Sequence, residues 1–542
     1  MTQNDPSRID LRDWYTPGQI GRRPSLLRYS PALFIIVILI ADAGQVSDPD
    51  LWSHIRFGQA ALAGHNLTAT LLGSGIARRD IYSYSVFGDQ WRDPEWLSEV
   101  IMAAFYGHVG IIGLKIWKFA CVAATLGFLM IGLVESGASP PTQFNLLTVV
   151  ALGLWPQIQF RPQIFTFALL AAMLAILARD NYRGAARLWL IPPMMTLWSN
   201  LHGGFIVGIV ALAAYAAVAG FTDLIAGRGL GRGMRLGLLT AIATLATFVT
   251  PYGLESWGAV LHSVGNQATR TAITEWQPLW PAMARQWHQS AVGEFSYLLA
   301  LGLMASLIVS FARTPRVGDL PMVAIAALMS AGSFAAARNI PLAVIACAIP
   351  LARLTAQLPA RTAAGYQAVK RTALRDRSGV NQWIVIALAI FVVISMGLFS
   401  PRLETDLALP SGAVAFMQQH DLHGNLLNDY GWGSYLIWHI APRSRLFIDG
   451  RCETVYPDNV INDYIQFYFN FAQAGRVLHG YPHDLILIPP EAPAYHLLEN
   501  SPEWKLVYRD RTAVLFVRAN SAAAKLPGVP IEGVSPTTSY FP

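Results

Sequence analysis

The sequence predicts a polytopic α-helical membrane protein with about eleven transmembrane helices and a small C-terminal α/β domain. Three observations predict it. Of the 542 residues, 54% are hydrophobic and 13% charged, about half the charged fraction of an ordinary soluble chain. Mean hydropathy is +0.39, and the apolar residues fall in long blocks instead of alternating. From about residue 403 the blocks stop, and short segments rich in Leu, Ile and Val take over.

The spans are supplied by apolar runs near 31–47, 114–134, 144–159, 163–178, 188–200, 204–221, 236–250, 293–311, 320–337, 340–354 and 383–399. Several fall short of the ~20 residues that cross a bilayer comfortably. The segment 97–110 contains Glu99 and His108 and suits a helix lying in the interface. The chain then divides into a cytoplasmic tail, 1–30, a transmembrane domain, 31–400, with a first outer loop, 48–113, an extracytoplasmic α/β domain, 401–521, and an irregular tail, 522–542. In the α/β part, "LPSGAVAFMQQHDL" and "DNVINDYIQFYFNFAQAGRVL" carry helical spacing, whereas "RLFIDGR", "DLILIP", "WKLVYRD" and "TAVLFVR" read as strands.

Cations set the orientation. Arg8, Arg12, Arg22, Arg23 and Arg28 occupy the N-terminal tail. Alternate loops hold Arg179, Arg183 and Arg187; Arg228, Arg232 and Arg235; Arg313 and Arg316; and Arg353, Arg361, Lys370, Arg371, Arg375 and Arg377. Such loops face the cytoplasm, so the N-terminus is expected inside and, with an odd number of spans, the C-terminal domain outside. The net charge of +6 is then a topological signal, and no basic-aromatic stripe marks a nucleic-acid partner. Cys121, Cys347 and Cys452 are too few and too scattered for a disulfide framework or a zinc site. The first apolar run has no small-residue cleavage site and reads as an uncleaved anchor.

Loops on the opposite face read "SDPDLWSHIRFG", "QFRPQ", "WSNLHGG", "VTPYGLESWG…ITEWQPLWP" and "ARNIP". Nearly all set a charged or amide group beside Pro or Gly at the end of a span. Loop punctuation explains any one of them. Five on one face read as the rim of a shared cavity, because polar groups at membrane depth are costly and usually line one.

The pattern "DPDLWSHIRFGQAAL", "RRDIYSYSVFGDQWRDPEWLSEV", "FRPQIF", "WSNLHGGFIVG", "TPYG" and "ITEWQPL" resembles a group of bacterial multi-span proteins placed with the GT-C glycosyltransferases. That superfamily includes protein O-mannosyltransferases, the lipid A aminoarabinose transferase and the catalytic subunits of oligosaccharyltransferases. "NDYGWGSYLIW", 428–438, looks like a relative of the oligosaccharyltransferase tryptophan-aspartate-tyrosine-glycine motif but lacks the tryptophan pair before the aspartate. The resemblance implies a GT-C-like fold in the bacterial inner membrane. It further implies transfer of a sugar, with inversion, from a polyprenyl-phosphate donor to a glycan, lipid or protein acceptor, with membrane lipids as further partners.

Such transfer needs a carboxylate to take the acceptor's proton and positive charge for the departing phosphate. Asp50 and Asp48 are the candidates for base and for ligands of a divalent cation, Mg or Mn, since hard oxygens suit one and Pro49 stiffens the turn. Helix capping is the competing reading for both. His54 lies one turn after Asp50 and is expected to orient its neighbours. Glu95 is a second candidate acid, with Asp93 as a cap and Asp80 and Glu99 in the same loop. Trp52, Trp91 and Trp96 read as interface anchors. Arg161 and Arg338, with no carboxylate nearby in sequence, suit a phosphate as well as they suit snorkelling to headgroups. His202 reads as a cation or phosphate contact, the glycines after it serving either substrate approach or helix packing, and Glu275 is a further acid on the same side. In the tail, Asp429, Asp449 and Arg451 fit either a turn or an acceptor-facing role.

Two other functions compete: a lipid-carrier flippase or transporter, and a non-catalytic GT-C-like subunit of a cell-envelope glycan assembly. Transporters usually show internal repeats and mid-span ionisable groups. Here no repeat is visible and the ionisable groups sit at span ends.

Overall fold

The computed structural model describes residues 46–65, 67–71, 73–184, 186–265, 274–286, 291–356, 401–405, 408–469, 474–527 and 540–542. The expected tail 1–30 and the runs 31–47 and 383–399, residues 46–47 excepted, lie outside them. The chain forms two compact units. One holds the described residues of Lys115–Thr250 and Ile273–Ser400; the other holds those of Gln45–Leu114, Pro251–Ala272 and Pro401–Pro542.

The first unit is a helical bundle. Six helices among the described residues are long and apolar enough to cross a membrane: Ile111–Glu135, Gln163–Arg183, Phe205–Ile225, Phe295–Arg313, Val317–Ala335 and Ala337–Ala356. Six of the eleven expected runs are matched by these, and two more lie outside the described residues. Runs 144–159, 188–200 and 236–250 form shorter helices, Pro140–Leu154, Ile191–Leu201 and Gly231–Ala246, of 15, 11 and 16 residues. Proline sets two of these boundaries. Pro156 sits in the 3-10 turn that follows Leu154, and Pro192 and Pro193 occupy the first turn of Ile191–Leu201, where a missing N–H does no harm. Ile340–Ala356 is the central helix, nearly all of it buried, and it packs on Leu320–Ala335, Ala291–Arg313, Pro140–Leu154 and Gln163–Arg183.

The cation-rich loops differ from the expectation of bare topological charges. At one end of the bundle Glu135 takes Arg179 and Arg183 at 3.8 and 3.1 Å, Asp180 takes Arg232 at 2.8 Å, Asp223 takes Arg228 at 3.5 Å and Asp319 takes Arg353 at 3.6 Å. Glu135, Asp180, Asp223 and Asp319 are all buried, so removing them from water requires this pairing. Arg161 precedes the opposite end of Gln163–Arg183, about 30 Å away at 1.5 Å per residue.

The second unit is built on a five-stranded sheet of β2 (Asn425–Asn428), β3 (Arg445–Leu446), β4 (Leu485–Ile488), β5 (Trp504–Arg509) and β6 (Val514–Arg518) in the order β3-β2-β4-β6-β5. β2 is parallel to β3 and β4, whereas β6 is antiparallel to β4 and β5. A separate pair joins β1 (Leu403–Glu404) to β7 (Tyr540–Phe541), so the tail expected to be irregular ends in a strand. The first outer loop extends the sheet: Leu446 N–H donates to Tyr82 O at 2.8 Å and Tyr84 N–H to Leu446 O at 3.0 Å, which covers the β3 edge. The two longer helices of this loop are α1 (Leu51–Leu62) and α2 (Trp96–Val109). They cross where Gly58 lets them touch: a Cβ there would fall 2.1 Å from Glu99 O.

One buried charge cluster joins the loop to the sheet. Arg451 donates to Asp449 through Nε and Nη2 at 2.8 and 2.7 Å, to Asp80 at 2.5 Å and to Ser83 Oγ at 2.9 Å. Its guanidinium carbon lies 4.9 to 5.5 Å from the ring centres of Trp91, Tyr82 and Phe57, within reach of cation–π attraction. Trp52, Trp91 and Trp96 are therefore core residues, 0, 3 and 5% exposed, and not interface anchors. Burial would raise Asp449, but Arg451's charge and hydrogen bonds hold it below the usual carboxylate range. At Asp80 burial wins and the carboxyl is raised, Asp449's charge adding to it against Arg451. Asp449 is thus the more firmly ionised of Arg451's two carboxylate partners. Asp449→Asn should destabilise by about 3–5 kcal/mol, and Asp80→Asn by clearly less, as read from thermal midpoints of the purified protein.

Candidate active site

The acidic turn begins with Asp48, which is buried and accepts the Asp50 N–H on Oδ1 at 2.9 Å. That bond fixes the turn and starts α1. Asp50 sits at the N-cap position but makes no capping bond with its side chain. Its half-buried carboxylate points toward the α/β domain instead, with Ser434 Oγ 3.3 Å from Oδ1. Ser434 Oγ donates its proton to that carboxylate, and the Ser53 hydroxyl lies between Asp50 O at 2.9 Å and Ser434 Oγ at 3.0 Å. Two glycines make room. A Cβ on Gly450, in "DGR", would meet Asp50 Oδ1 at 2.4 Å, and one on Gly433 would meet Asp449 Cα at 2.6 Å. The "NDYGWGSYLIW" segment, which the sequence could relate only to a broken motif, thereby supplies Ser434. Asp429 caps its own 3-10 turn by accepting from Gly431 N–H at 2.8 Å.

His54 does not pair with Asp50. Its Nδ1 lies 2.9 Å from Glu99 Oε1, and its Nε2 is 4.0 Å from Glu95 Oε2. Asp93 is not at the N-cap position of α2, which is Glu95; it accepts from Glu95 N–H at 2.8 Å in the turn before the helix. It also bonds the Glu99 carboxyl, which is buried although an interfacial helix was expected there. Burial first, then Glu99's charge, raises Asp93 well above the usual range. Burial pushes Glu99 up to about 8, against the hydrogen bond from Asp93. Two carboxyls in contact inside protein hold at least one proton between them. The folded state therefore binds protons that the unfolded chain has released, and stability falls as pH rises from about 4.5 to about 8. Glu99→Gln should flatten that fall, matching the unmodified protein near pH 5 and exceeding its thermal midpoint at pH 8.

Asp48, Asp50, His54 and Glu95 belong to the second unit; Arg161, His202, Glu275 and Arg338 belong to the first. In the first unit Arg161 and Arg338 share one carboxylate, which sequence distance hid. Glu275 lies 3.3 Å from Arg161 Nη1 and 3.9 Å from Arg338 Nη1. Burial alone would raise Glu275, but the two guanidinium charges keep it below its ordinary value. Arg338 also lies over the Trp276 ring at 4.1 Å, within reach of cation–π attraction. His202 Nδ1 accepts from Gly204 N–H at 2.9 Å and lies 2.8 Å from Thr166 Oγ1. Thr166 itself accepts from Trp198 Nε1 at 2.9 Å, leaving its own proton for His202. With Nδ1 accepting, the ring proton of the neutral imidazole is on Nε2, so Nδ1 is closed to a metal. A Cβ on Gly204 would stand 2.5 Å from Thr166 Oγ1, which makes close helix packing the role of that glycine.

Among the described residues no three His, Cys, Asp or Glu side chains gather in a way that could hold a metal ion. Asp48 and Asp50 still offer hard oxygen donors beside the Ser53 and Ser434 hydroxyls. Mg²⁺ is commonly held by one or two carboxylates together with water and substrate phosphates, so the donor chemistry fits a cation of that kind.

No protein-family model matches the chain, and no curated protein does. Solved structures do. The oligosaccharyltransferase of Archaeoglobus fulgidus, in its apo form, superposes with a TM-score of 0.54 at 10% identity over 92% of this chain and 75% of that one. The mycobacterial arabinofuranosyltransferase AftD follows at a TM-score of 0.48 and 16% identity, over 92% of this chain and 40% of that one. The archaeal likeness gives this chain a GT-C-like fold, the class its sequence resembles. With six helices among the described residues long and apolar enough to cross a membrane, it is a multi-pass membrane protein.

Proposed function

We propose that the chain is an integral-membrane glycosyltransferase. It transfers a sugar from a polyprenyl-phosphate donor to a glycan, lipid or protein acceptor on the extracytoplasmic side of a bacterial inner membrane, and it inverts the anomeric centre. The observation that carries this reading is Asp50: a half-buried carboxylate aimed away from its own helix, held by Ser434, on a GT-C-like fold. In this role Asp50 accepts the acceptor hydroxyl's proton as the new glycosidic bond forms and the carrier phosphate leaves. Asp48 keeps the turn rigid. Glu95, beside His54, is the second acid. A divalent cation, Mg²⁺ or Mn²⁺, would be held by Asp48 and Asp50 and would supply positive charge to the phosphate. Within the helical unit, Arg161 and Arg338 offer forked donors suited to a phosphate, and Glu275 keeps the two guanidiniums together. The cation-rich bundle end then faces the cytoplasm, and the α/β domain lies outside.

A proton-accepting carboxylate in general acid–base chemistry contributes about 10²–10⁴-fold. Asp50→Asn should lose activity on that scale in a membrane assay with a polyprenyl-phosphate sugar pool, with expression and thermal midpoint retained. Unchanged turnover would overturn the catalytic reading in favour of an assembly subunit. Chelation with EDTA should lower turnover, and Mg²⁺ or Mn²⁺ should restore it.

A further inference from the structure

The acidic turn is secured on both flanks by a strand far from it in sequence. On the N-terminal flank Val46 bridges Glu404 of β1, and Ser47 N–H donates to Glu404 O at 2.6 Å. β1 is in turn paired to β7, with Leu403 opposite Phe541 and Glu404 opposite Tyr540. On the C-terminal flank Trp52, two residues past Asp50, packs edge-on against Phe541 with ring centres 5.0 Å apart. The Phe541 ring is 2% exposed. It is also within 5.8 Å of Tyr106 on α2 and of Trp438, one helical turn beyond Ser434. Arg402 lies over the Tyr540 ring at 5.4 Å, which leaves Phe541 as the inward-facing member of the strand.

We propose that Phe541 is a positioning residue for Asp50. Its ring wedges between α1, α2 and the helix Gly433–His439, and its strand holds β1, the segment to which residues 46–47 are tied. Both the carboxylate and the Ser434 hydroxyl that faces it thus take their places from one distant side chain. Burying a Phe ring of this kind is stabilising, and edge-on aromatic pairs add to it. This inference takes the catalytic role of Asp50 from the function proposed above, so its test separates the two.

The full-length protein with Phe541→Ala, Phe541→Leu or Tyr540→Ala is compared with the unmodified chain by amide hydrogen exchange over residues 46–54 and by transferase turnover. Phe541→Ala should speed exchange of the Ser47 and Asp50 amides at least ten-fold while distant β4 and β6 keep their protection. Phe541→Leu should recover most of the loss, and Tyr540→Ala should change little. Turnover should fall ten- to hundred-fold in Phe541→Ala with KM within about two-fold, because a misplacement of about 1 Å can cost 10²-fold. Unchanged exchange at residues 46–54 in Phe541→Ala overturns the positioning role whatever the turnover. Faster exchange with unchanged turnover supports the anchoring and overturns the catalytic assignment of Asp50 instead.

Discussion

The second unit depends on one guanidinium. Arg451 is buried with Asp80 and Asp449 around it, Ser83 beneath it and three aromatic rings beside it. A cation removed from water in this way is tolerable only with its anions in place. The loop that carries Asp80 is therefore obliged to sit on the sheet that carries Asp449. Because α1 and α2 lead into and out of that loop, the constraint reaches the acidic turn. Burying charge where a hydrophobic contact would have served is costly, but it fixes geometry more narrowly, since a guanidinium fork accepts few alternative partners.

Around this clamp the chain separates chemistry by degree of burial. Asp80, Asp449, Asp93 and Glu99 are fully enclosed and serve structure, either by pairing with Arg451 or by sharing a proton. Asp50, His54 and Glu95 are only partly covered. In the other unit Arg161, Glu275 and Arg338 show the same intermediate exposure, whereas the acids that hold the cation-rich bundle end are buried. A carboxylate that must exchange protons or meet a ligand needs access, and one that holds a fold does not.

The sequence made the membrane class legible because hydropathy is a local property, and the acidic turn because two carboxylates beside a proline at the end of an apolar run are conspicuous. Strands β4, β5 and β6 were readable for the same reason: each is a compact run of Leu, Ile, Val and aromatics. What could not be read was pairing across distance. Arg161 and Glu275 are 114 residues apart, and Arg451 and Asp80 are 371 apart. Ser434 has no local feature that distinguishes it from any other serine. The central strand β2 has only four residues, "NLLN", too few for a period to emerge. The three tryptophans were misplaced because an aromatic near a membrane boundary looks alike whether it faces lipid or a protein core.

The crossing of α1 and α2 has an implication for how this protein tolerates change. At Gly58 and Gly433 a single added methyl group would collide with main-chain atoms rather than with side chains able to swing aside. Neither residue bears any reactive group, yet each fixes the approach of a backbone carrying one. A saturation survey scored by function alone would rank these two positions among the least permissive in the chain and invite their mistaken inclusion in the chemistry. Comparing the variants' abundance with their specific activity would sort scaffold from reagent.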